Sequence, residues 1–297
     1  MTPARRGVTL VELVVAMTLG GLVLALVAAI SVRQQRLHAD LADRLALAEQ
    51  LRQAATVLPI ELRGLAVGAG DLRDARDTAV EFRSTISSAV VCDTIGGGVI
   101  LAPSSPGPTP FAGFLTPITD GDTAWVLAPG DSVDRWNAFP IASVATVAGG
   151  GCDRAGPVLD ASARATGRIS LRFAPGQPAV ASGSVVRVTR PTRYSLYRGG
   201  DGRWYLGARD WNAAANRFNT IQPVSGPFAS AAARGLELQY VDSSGVALPR
   251  PVVSLGDVAL IRMTVRGQTR RAMRAFSAAR GKAGDSAIVA LALRNRR

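Results

Sequence analysis

The stretch Arg5-Arg6-Gly7-Val8-Thr9-Leu10-Val11-Glu12-Leu13 opens the part of the chain that decides its fold. An apolar run follows it: from Leu13 to Ile30 no residue is charged, and Thr18 is the single polar side chain. A charge-free run of this length predicts a helix that spans a membrane. From position 8 to position 32 a helix rising ~1.5 Å per residue covers roughly 37 Å, which exceeds the ~30 Å hydrocarbon core of a bilayer.

Glu12 is the exception at the start of this apolar segment, because a carboxylate inside a spanning helix costs a few kcal/mol and needs a partner. A secretory signal peptide has small residues for cleavage after its apolar run. Here the candidate cleavage residue, Gly7, comes before it. The plainer alternative is a signal anchor that carries a stray glutamate near its end.

This arrangement resembles the class III signal of type IV prepilins and pseudopilins, in which a short basic leader and a glycine precede F-T-L-x-E. The chain has Val8 where phenylalanine is commonest. The resemblance implies that a prepilin peptidase cuts between Gly7 and Val8, and that the new amine of Val8 is N-methylated. It also implies that Glu12 pairs with the terminal amine of a neighbouring subunit, since a carboxylate and an ammonium are each costly alone in lipid.

The helix is expected to continue beyond the membrane. Apolar residues recur there every three or four positions, which is the spacing of one helix face. They are Leu37, Leu41, Leu45, Ala48, Leu51, Ala55 and Leu58. Pro59 is expected to break or kink the helix because its ring removes a hydrogen bond. A short helix from Ile60 to Leu65 is expected to follow.

Two further segments resemble PilW-type minor pilins and J-type minor pseudopilins of type II secretion: the run from Leu51 to Gly64, and the ending Leu293-Arg294-Asn295-Arg296. The resemblance implies an α+β fold in which a long N-terminal helix packs on a mostly antiparallel β-sheet head. We therefore expect four parts. They are a cleaved basic leader (1–7), a transmembrane half of the helix (8–32), an amphipathic half (33–58) and a globular β-rich head outside the cytoplasm (59–297).

Strands are expected where apolar and polar residues alternate. The candidates are 80–84, 89–92, 123–127, 141–147, 168–173, 185–189, 193–198, 203–206, 236–240, 258–266 and 286–296. Turns are expected at 96–98, 120–122, 199–202 and 242–245, and prolines between 103 and 117 predict a long loop. Asp120-Gly121-Asp122 has oxygen atoms that suit calcium, but a full site needs several more at fixed spacing. Residues 66–167 are too poorly patterned to be placed in a sheet.

The two cysteines, Cys92 and Cys152, both follow the membrane segment. They are expected to form a disulfide if the head lies in an oxidising compartment. Closing a loop of about 60 residues would contribute ~4 kcal/mol in the chain-entropy model. Two unpaired thiols are the alternative. A metal site is not expected, because neither cysteine has a neighbouring histidine or second cysteine.

The formal net charge is +12, and 34 basic residues include a single lysine, Lys282. Genomic composition explains this arginine bias most simply. A basic surface nevertheless attracts anionic lipid headgroups, acidic partner subunits or nucleic acid. Arg5 and Arg6 favour a cytoplasmic N-terminus, although Arg33 and Arg36 weaken the asymmetry.

The resemblance implies a structural subunit: a minor pilin or minor pseudopilin held in the bacterial inner membrane and then moved into a type IV pilus or type II secretion pseudopilus. Its partners would be prepilin peptidase and other subunits, with no cofactor. A second hypothesis is a tip adhesin or DNA-uptake pilin that binds anionic ligands through arginines of the 262–274 region. An exported enzyme has no support, because His38 is the sole histidine and no catalytic set surrounds it in the sequence.

Overall fold

The computed structural model describes residues 9–102, 112–128, 135–147, 167–175, 180–272 and 282–293. Over these residues the chain forms one long N-terminal helix, α1, followed by strands that pair in antiparallel fashion. This arrangement confirms the expected α+β layout.

Helix α1 runs from Leu10 to Arg63 without interruption. The expected break at Pro59 is therefore wrong, and the separate short helix after it is the last turn of α1. Leu58, Pro59 and Leu62 are all buried against the sheet. We attribute the continuity to this packing, which offsets the hydrogen bond that proline cannot donate.

Fourteen strands lie in the described ranges, and several are longer than the sequence pattern indicates. They are β1 (Leu72–Ala75), β2 (Ala79–Ile95), β3 (Gly98–Leu101), β4 (Ala112–Phe114), β5 (Thr123–Ala128), β6 (Arg135–Val147), β7 (Arg168–Phe173), β8 (Val185–Arg198), β9 (Trp204–Asn212), β10 (Arg217–Phe218), β11 (Gln222–Phe228), β12 (Leu236–Val241), β13 (Leu260–Gln268) and β14 (Gly284–Ala292).

A main sheet covers one face of the second half of α1. Its strands are β1, the first part of β2, the last part of β8, β9, β11 and β13, with β12 and β14 on either side of β13. Leu47, Leu51 and Leu58 of α1 pack in one core with Leu238 and Met263 of the sheet. The helix comes so close that a Cβ atom at residue 267 would overlap the Leu47 side chain, which explains the glycine there.

A second unit, a closed six-stranded barrel, is built on the other ends of β2 and β8. The pairings run β2–β3, β3–β7, β7–β6, β6–β5, β5–β8 and β8–β2, so the ring closes without a free edge. Apolar side chains from these strands fill the interior, including Phe139, Leu171 and Val188. The barrel accounts for most of the region that the sequence pattern could not place.

The barrel is attached near the C-terminal end of α1. Ser84 of β2 donates a hydrogen bond from its hydroxyl to Glu61 Oε2 over 2.6 Å. Arg187 of β8 forms an ion pair with the buried Asp71, which follows the helix. The strands that contact α1 most extensively are β11, β13 and β14 of the main sheet. The barrel is therefore part of the head but does not form the surface on which the helix packs.

Candidate functional site

The N-terminal end of α1 is organised by Thr9 and Glu12. Thr9 is the N-cap, and its hydroxyl accepts a hydrogen bond from the Glu12 backbone N–H over 3.3 Å. In return the Thr9 backbone N–H and hydroxyl donate to Glu12 Oε2 over 2.9 Å and 3.0 Å. This is a capping box, which satisfies helix donors that would otherwise lack partners. Within the described residues, the cap orients the Glu12 carboxylate toward the start of the chain.

Behind this carboxylate lies a helix surface that the head does not cover. Side chains from Leu10 to Val32 are exposed along α1, and the helix is long and apolar enough to cross a membrane. An exposed acid at the edge of an exposed apolar surface can bind a cation that shares the low-dielectric surroundings, because each charge lowers the cost of the other. A primary ammonium has this chemistry.

Gly7 and Val8, the expected cleavage and methylation residues, lie outside the described residues. Glu12 lies three residues after the N-cap, and its role in subunit assembly stays a prediction. The sequence interpretation missed the role of Thr9. The signal was present, because Thr-x-x-Glu before an apolar run is the pattern of a capping box.

A second cluster of charged side chains lies where β8 passes from the barrel to the main sheet. On one edge of β8, β5 pairs with residues 186–189 and β9 pairs with residues 192–198. Arg190 occupies the gap between them. Its guanidinium donates to Asp122 from Nε over 2.8 Å and from Nη2 over 2.7 Å, and to Asp210 over 3.3 Å.

The Arg190 cluster joins the two units of the head. Asp122 comes directly before β5 of the barrel, whereas Asp210 belongs to β9 of the main sheet. Hydrogen bonding to Asp122 raises the pKa of Arg190, so the guanidinium remains charged. At Gly121, whose φ is +87°, an added Cβ atom would overlap Ala213 beyond β9, so the two units also touch there.

The other residues singled out from the sequence mostly have structural roles. Asp120-Gly121-Asp122 is a turn, as expected; Asp122 binds Arg190, and Asp120 accepts a hydrogen bond from the Val144 N–H. In the ranges that the structure covers, no three His, Cys, Asp or Glu side chains gather as a metal site requires. His38 is exposed on α1.

Cys92 is buried in β2, and Cys152 lies outside the described residues, so their pairing stays a prediction. The arginines of the 262–274 region, which the second hypothesis assigns to anion binding, differ in their surroundings. Arg262 is exposed on β13, whereas Arg266 donates to Glu237 over 3.1 Å, and positions 273–274 lie outside the described ranges.

Residues 2–28 match the prokaryotic N-terminal methylation motif. The chain thus carries a prepilin-type motif together with the long apolar helix and antiparallel sheet of a type IV pilin-like layout. Neither the curated proteins nor the solved structures include a match to this chain.

Proposed function

We propose that this chain is a minor pilin or minor pseudopilin: a structural subunit, not an enzyme, that is processed at its N-terminus and assembles with related subunits. The observation that carries the proposal is the capped Glu12 at the start of an exposed apolar helix, within a methylation motif. A prepilin peptidase would cut between Gly7 and Val8 in the inner membrane, and Val8 would then be N-methylated.

In this proposal the carboxylate of Glu12 exchanges partners during assembly. Before assembly it caps its own helix through Thr9, at 2.9 Å from the backbone nitrogen. In the filament it binds the methylated amine of Val8 on a neighbouring subunit. The exchange places both charges in one ion pair within the apolar helix bundle, where either charge alone is unfavourable.

The head fits a minor subunit better than a densely repeated one. The barrel extends from the end of α1 that is distant from the membrane segment, where a further subunit of a filament would have to stack. A position at the filament end, or in the complex that starts the filament, leaves room for it. The head would lie in the periplasm, where Cys92 and Cys152 would pair in an oxidising environment.

Glu12 provides the test, because two substitutions separate its charge from its cap. Glu12→Gln retains a side chain that supports a capping box, whereas it removes the negative charge. We expect normal processing by co-expressed prepilin peptidase but roughly a tenfold or greater loss of incorporation into sheared filaments, since the neighbouring ammonium is left unpaired. Mass spectrometry measures processing, and quantitative immunoblotting measures incorporation.

The matched control is Thr9→Ala, which removes the N-cap hydroxyl and retains the charge. We expect it to incorporate nearly as well as the natural chain. Gly7→Ala should block processing altogether. If Glu12→Gln assembles normally while Thr9→Ala does not, Glu12 acts as a helix cap and the assembly proposal is wrong.

A further inference from the structure

Strand β14 forms an open edge of the main sheet. It pairs with β13 from Gly284 to Ala292, and within the described ranges no strand pairs with its other side. The strand is 9 residues long, so a whole further strand can pair with this edge. Unpaired backbone N–H and C=O groups on a sheet edge are the template on which an extended segment of another chain binds.

The hydrogen bonds to β13 determine which backbone groups of β14 point outward. The N–H of Leu293 donates to Ala259, and the N–H of Thr269 donates to Ala283, so the odd-numbered residues of β14 are those that bond to β13. In an antiparallel ladder, bonded and non-bonded pairs alternate. The even-numbered residues therefore direct their N–H and C=O groups to the open edge; they are Ser286, Ile288, Ala290 and Ala292.

The edge lacks the devices that prevent strands from pairing with other chains. Natural edge strands carry charged side chains, prolines or bulges for this purpose. From residue 286 to residue 292, β14 has no charge, no proline and no bulge. Ile288 is moreover 66% exposed on the face directed away from α1. The composition of β14 is that of a strand with a neighbour on each side.

The core between α1 and the sheet is incomplete at the same edge. Met263 and Val265 of β13 are fully buried in this core. Their partners on β14, Val289 and Ala287, face α1 as well but remain partly exposed. A strand beyond β14 would cover these two side chains, as β14 covers those of β13.

Strand β14 runs in the same direction as α1, away from the membrane-spanning half. Near its start, Asp285 lies opposite Gly267, the glycine that comes close to Leu47 of α1. Its other end pairs with the start of β13. The segment just before β13, Leu255–Asp257, contacts Val67–Ala69, which follow the C-terminal end of α1.

This direction excludes a symmetric pair of two copies at the β14 edge. Two β14 strands in antiparallel pairing would direct the two α1 helices in opposite ways, so both spanning halves could not enter one membrane. A two-fold axis along the strands would make them parallel, with the outward groups of both copies at equal heights. A parallel ladder needs these groups staggered by one residue, so this pairing fails as well.

We propose that the open edge of β14 binds an extended strand from a different subunit of the same filament, which continues the main sheet. The partner strand would be antiparallel to β14, the pairing that is more stable per residue. It would be uncharged opposite residues 286–292 and apolar at every second position, on the side that covers Ala287 and Val289.

The proposal rests on the assembly function for the identity of the partner. The contact of Glu12 with an amine would be common to all subunits that carry the motif, so it cannot select one neighbour. Backbone pairing at β14 supplies affinity, and the alternate side chains of the partner strand supply selectivity. The edge would therefore determine which subunit lies beside this one.

Hydrogen exchange gives a direct test. The processed chain is compared alone in detergent micelles and within sheared filaments, recovered through an affinity tag on this chain. Mass spectrometry with single-residue resolution measures each amide of β14. In the single chain, we expect fast exchange at even-numbered positions and slow exchange at odd-numbered ones. In the filament, the amides of Ile288 and Ala290 should exchange roughly tenfold or more slowly.

Two substitutions block the edge. Ile288→Lys adds the charge that natural edge strands carry, and Ala290→Pro removes an outward N–H that β13 does not use. We expect both to keep normal processing and to lose incorporation roughly tenfold or more. The thermal midpoint of Ile288→Lys should match that of the natural chain. Val246→Lys, at an apolar side chain that is 60% exposed after β12, is the matched control and should incorporate normally.

A photo-crosslinker at position 288 identifies the occupant of the edge. We expect a product with a different subunit that carries a prepilin-type motif. A product of two copies of this chain, or no product in intact filaments, would overturn the proposal. Even-numbered amides that are already slow in the single chain, or that stay fast in the filament, would also overturn it.

The two proposals can fail separately. Normal incorporation of Ile288→Lys together with loss for Glu12→Gln would overturn the edge proposal and leave the assembly role of Glu12 intact. Loss for Ile288→Lys together with normal incorporation of Glu12→Gln would support the edge and contradict the role of Glu12.

Discussion

Arg190 and Asp122 meet where the barrel and the main sheet separate, and both side chains are buried, at 9% and 4% exposure. Arg190→Met leaves the buried Asp122 carboxylate without its charged partner, and among the described residues only Thr119 then donates to it. We expect a loss of about 3–5 kcal/mol in the free energy of unfolding, because removing one member of a buried ion pair leaves the other charge uncompensated. Denaturant unfolding of the solubilised chain measures this loss.

Asp210 is the matched control for this prediction. Its side chain is 42% exposed, so Asp210→Asn should cost no more than about 1 kcal/mol. The double variant, R190M with D122L, should regain part of the stability that R190M loses, since the buried charge is then absent. A double variant as unstable as R190M would show that the guanidinium acts by filling space.

Tyr194 is expected to make stability depend on pH under alkaline conditions. The ring is 6% exposed and stacks on Phe82 with centroids 5.8 Å apart. Burial, with a further contribution from the charge of Glu61, raises the pKa of Tyr194 from 10.0 to about 12. The folded state holds this proton more tightly than the unfolded state, so the stabilisation is complete below pH 10 and is lost between pH 10 and 12.

Between pH 10 and 12 we expect the free energy of unfolding to fall by about 3 kcal/mol. Tyr194→Phe keeps the ring and removes the ionisable hydroxyl, so unfolding free energies of the variant should decline less steeply. Some decline should remain, because burial also raises the pKa of Tyr240. Identical alkaline slopes for the natural chain and the variant would contradict the prediction.

Among the elements, those with uninterrupted periodicity could be predicted from sequence. Helix α1, β12 and β13 follow the expected positions closely, because each repeats an apolar residue at the helical or strand period over its length. The end of α1 could not be predicted. Local propensity disfavours a proline inside a helix, as at Pro59. The helix continues to Arg63 because Leu58 and Leu62 are buried against a sheet that is distant in the sequence.

Strands β2 and β8 show why other elements were predicted only in pieces. A bulge between Thr85 and Ser87 interrupts the alternation in β2, and Pro191 interrupts the apparent strand in β8. Pro191 lies in the interval where β5 has ended and β9 has not begun, so the missing N–H costs no ladder bond there. Only the pairing partners reveal that each piece belongs to one long strand.

The candidate sites also differ in how far the sequence predicts them. Glu12 could be singled out because the motif is local and its offset from Gly7 is fixed, and its role in assembly stays a prediction. The Arg190 cluster joins residues from 117 to 210, and its contact with Asp210 requires the pairing of β8 with β9. Such constellations depend on pairings that no short sequence window contains.

For the whole molecule, the barrel should be dispensable for folding of the rest. Residues Ser87 and Val188 lie opposite each other on β2 and β8. Replacing residues 88–187 with Asn-Gly would close these strands as a tight hairpin. All of the core against α1 is retained, so we expect a single cooperative transition. The deletion also removes Arg187, the ion-pair partner of the buried Asp71, and Asp122, the partner of Arg190, so we expect the free energy of unfolding to fall by about 3–5 kcal/mol.

The same deletion tests the end position proposed for this subunit. Without the barrel, immunogold labelling should find the subunit along the filament as well as at its end. A variant that folds but remains confined to the end would show that something other than bulk determines the position. Loss of the cooperative transition would instead mean that the barrel is needed for folding.

The entry and exit of the barrel on two neighbouring strands also has a genetic consequence. Nearly the entire module is encoded by one uninterrupted stretch, bordered by strands that pair without it. A single recombination event can therefore insert, remove or exchange the module. Helix α1 and the other subunits of the filament need not change. Related chains should therefore differ mainly between these two strands, by gain, loss or exchange of the whole barrel.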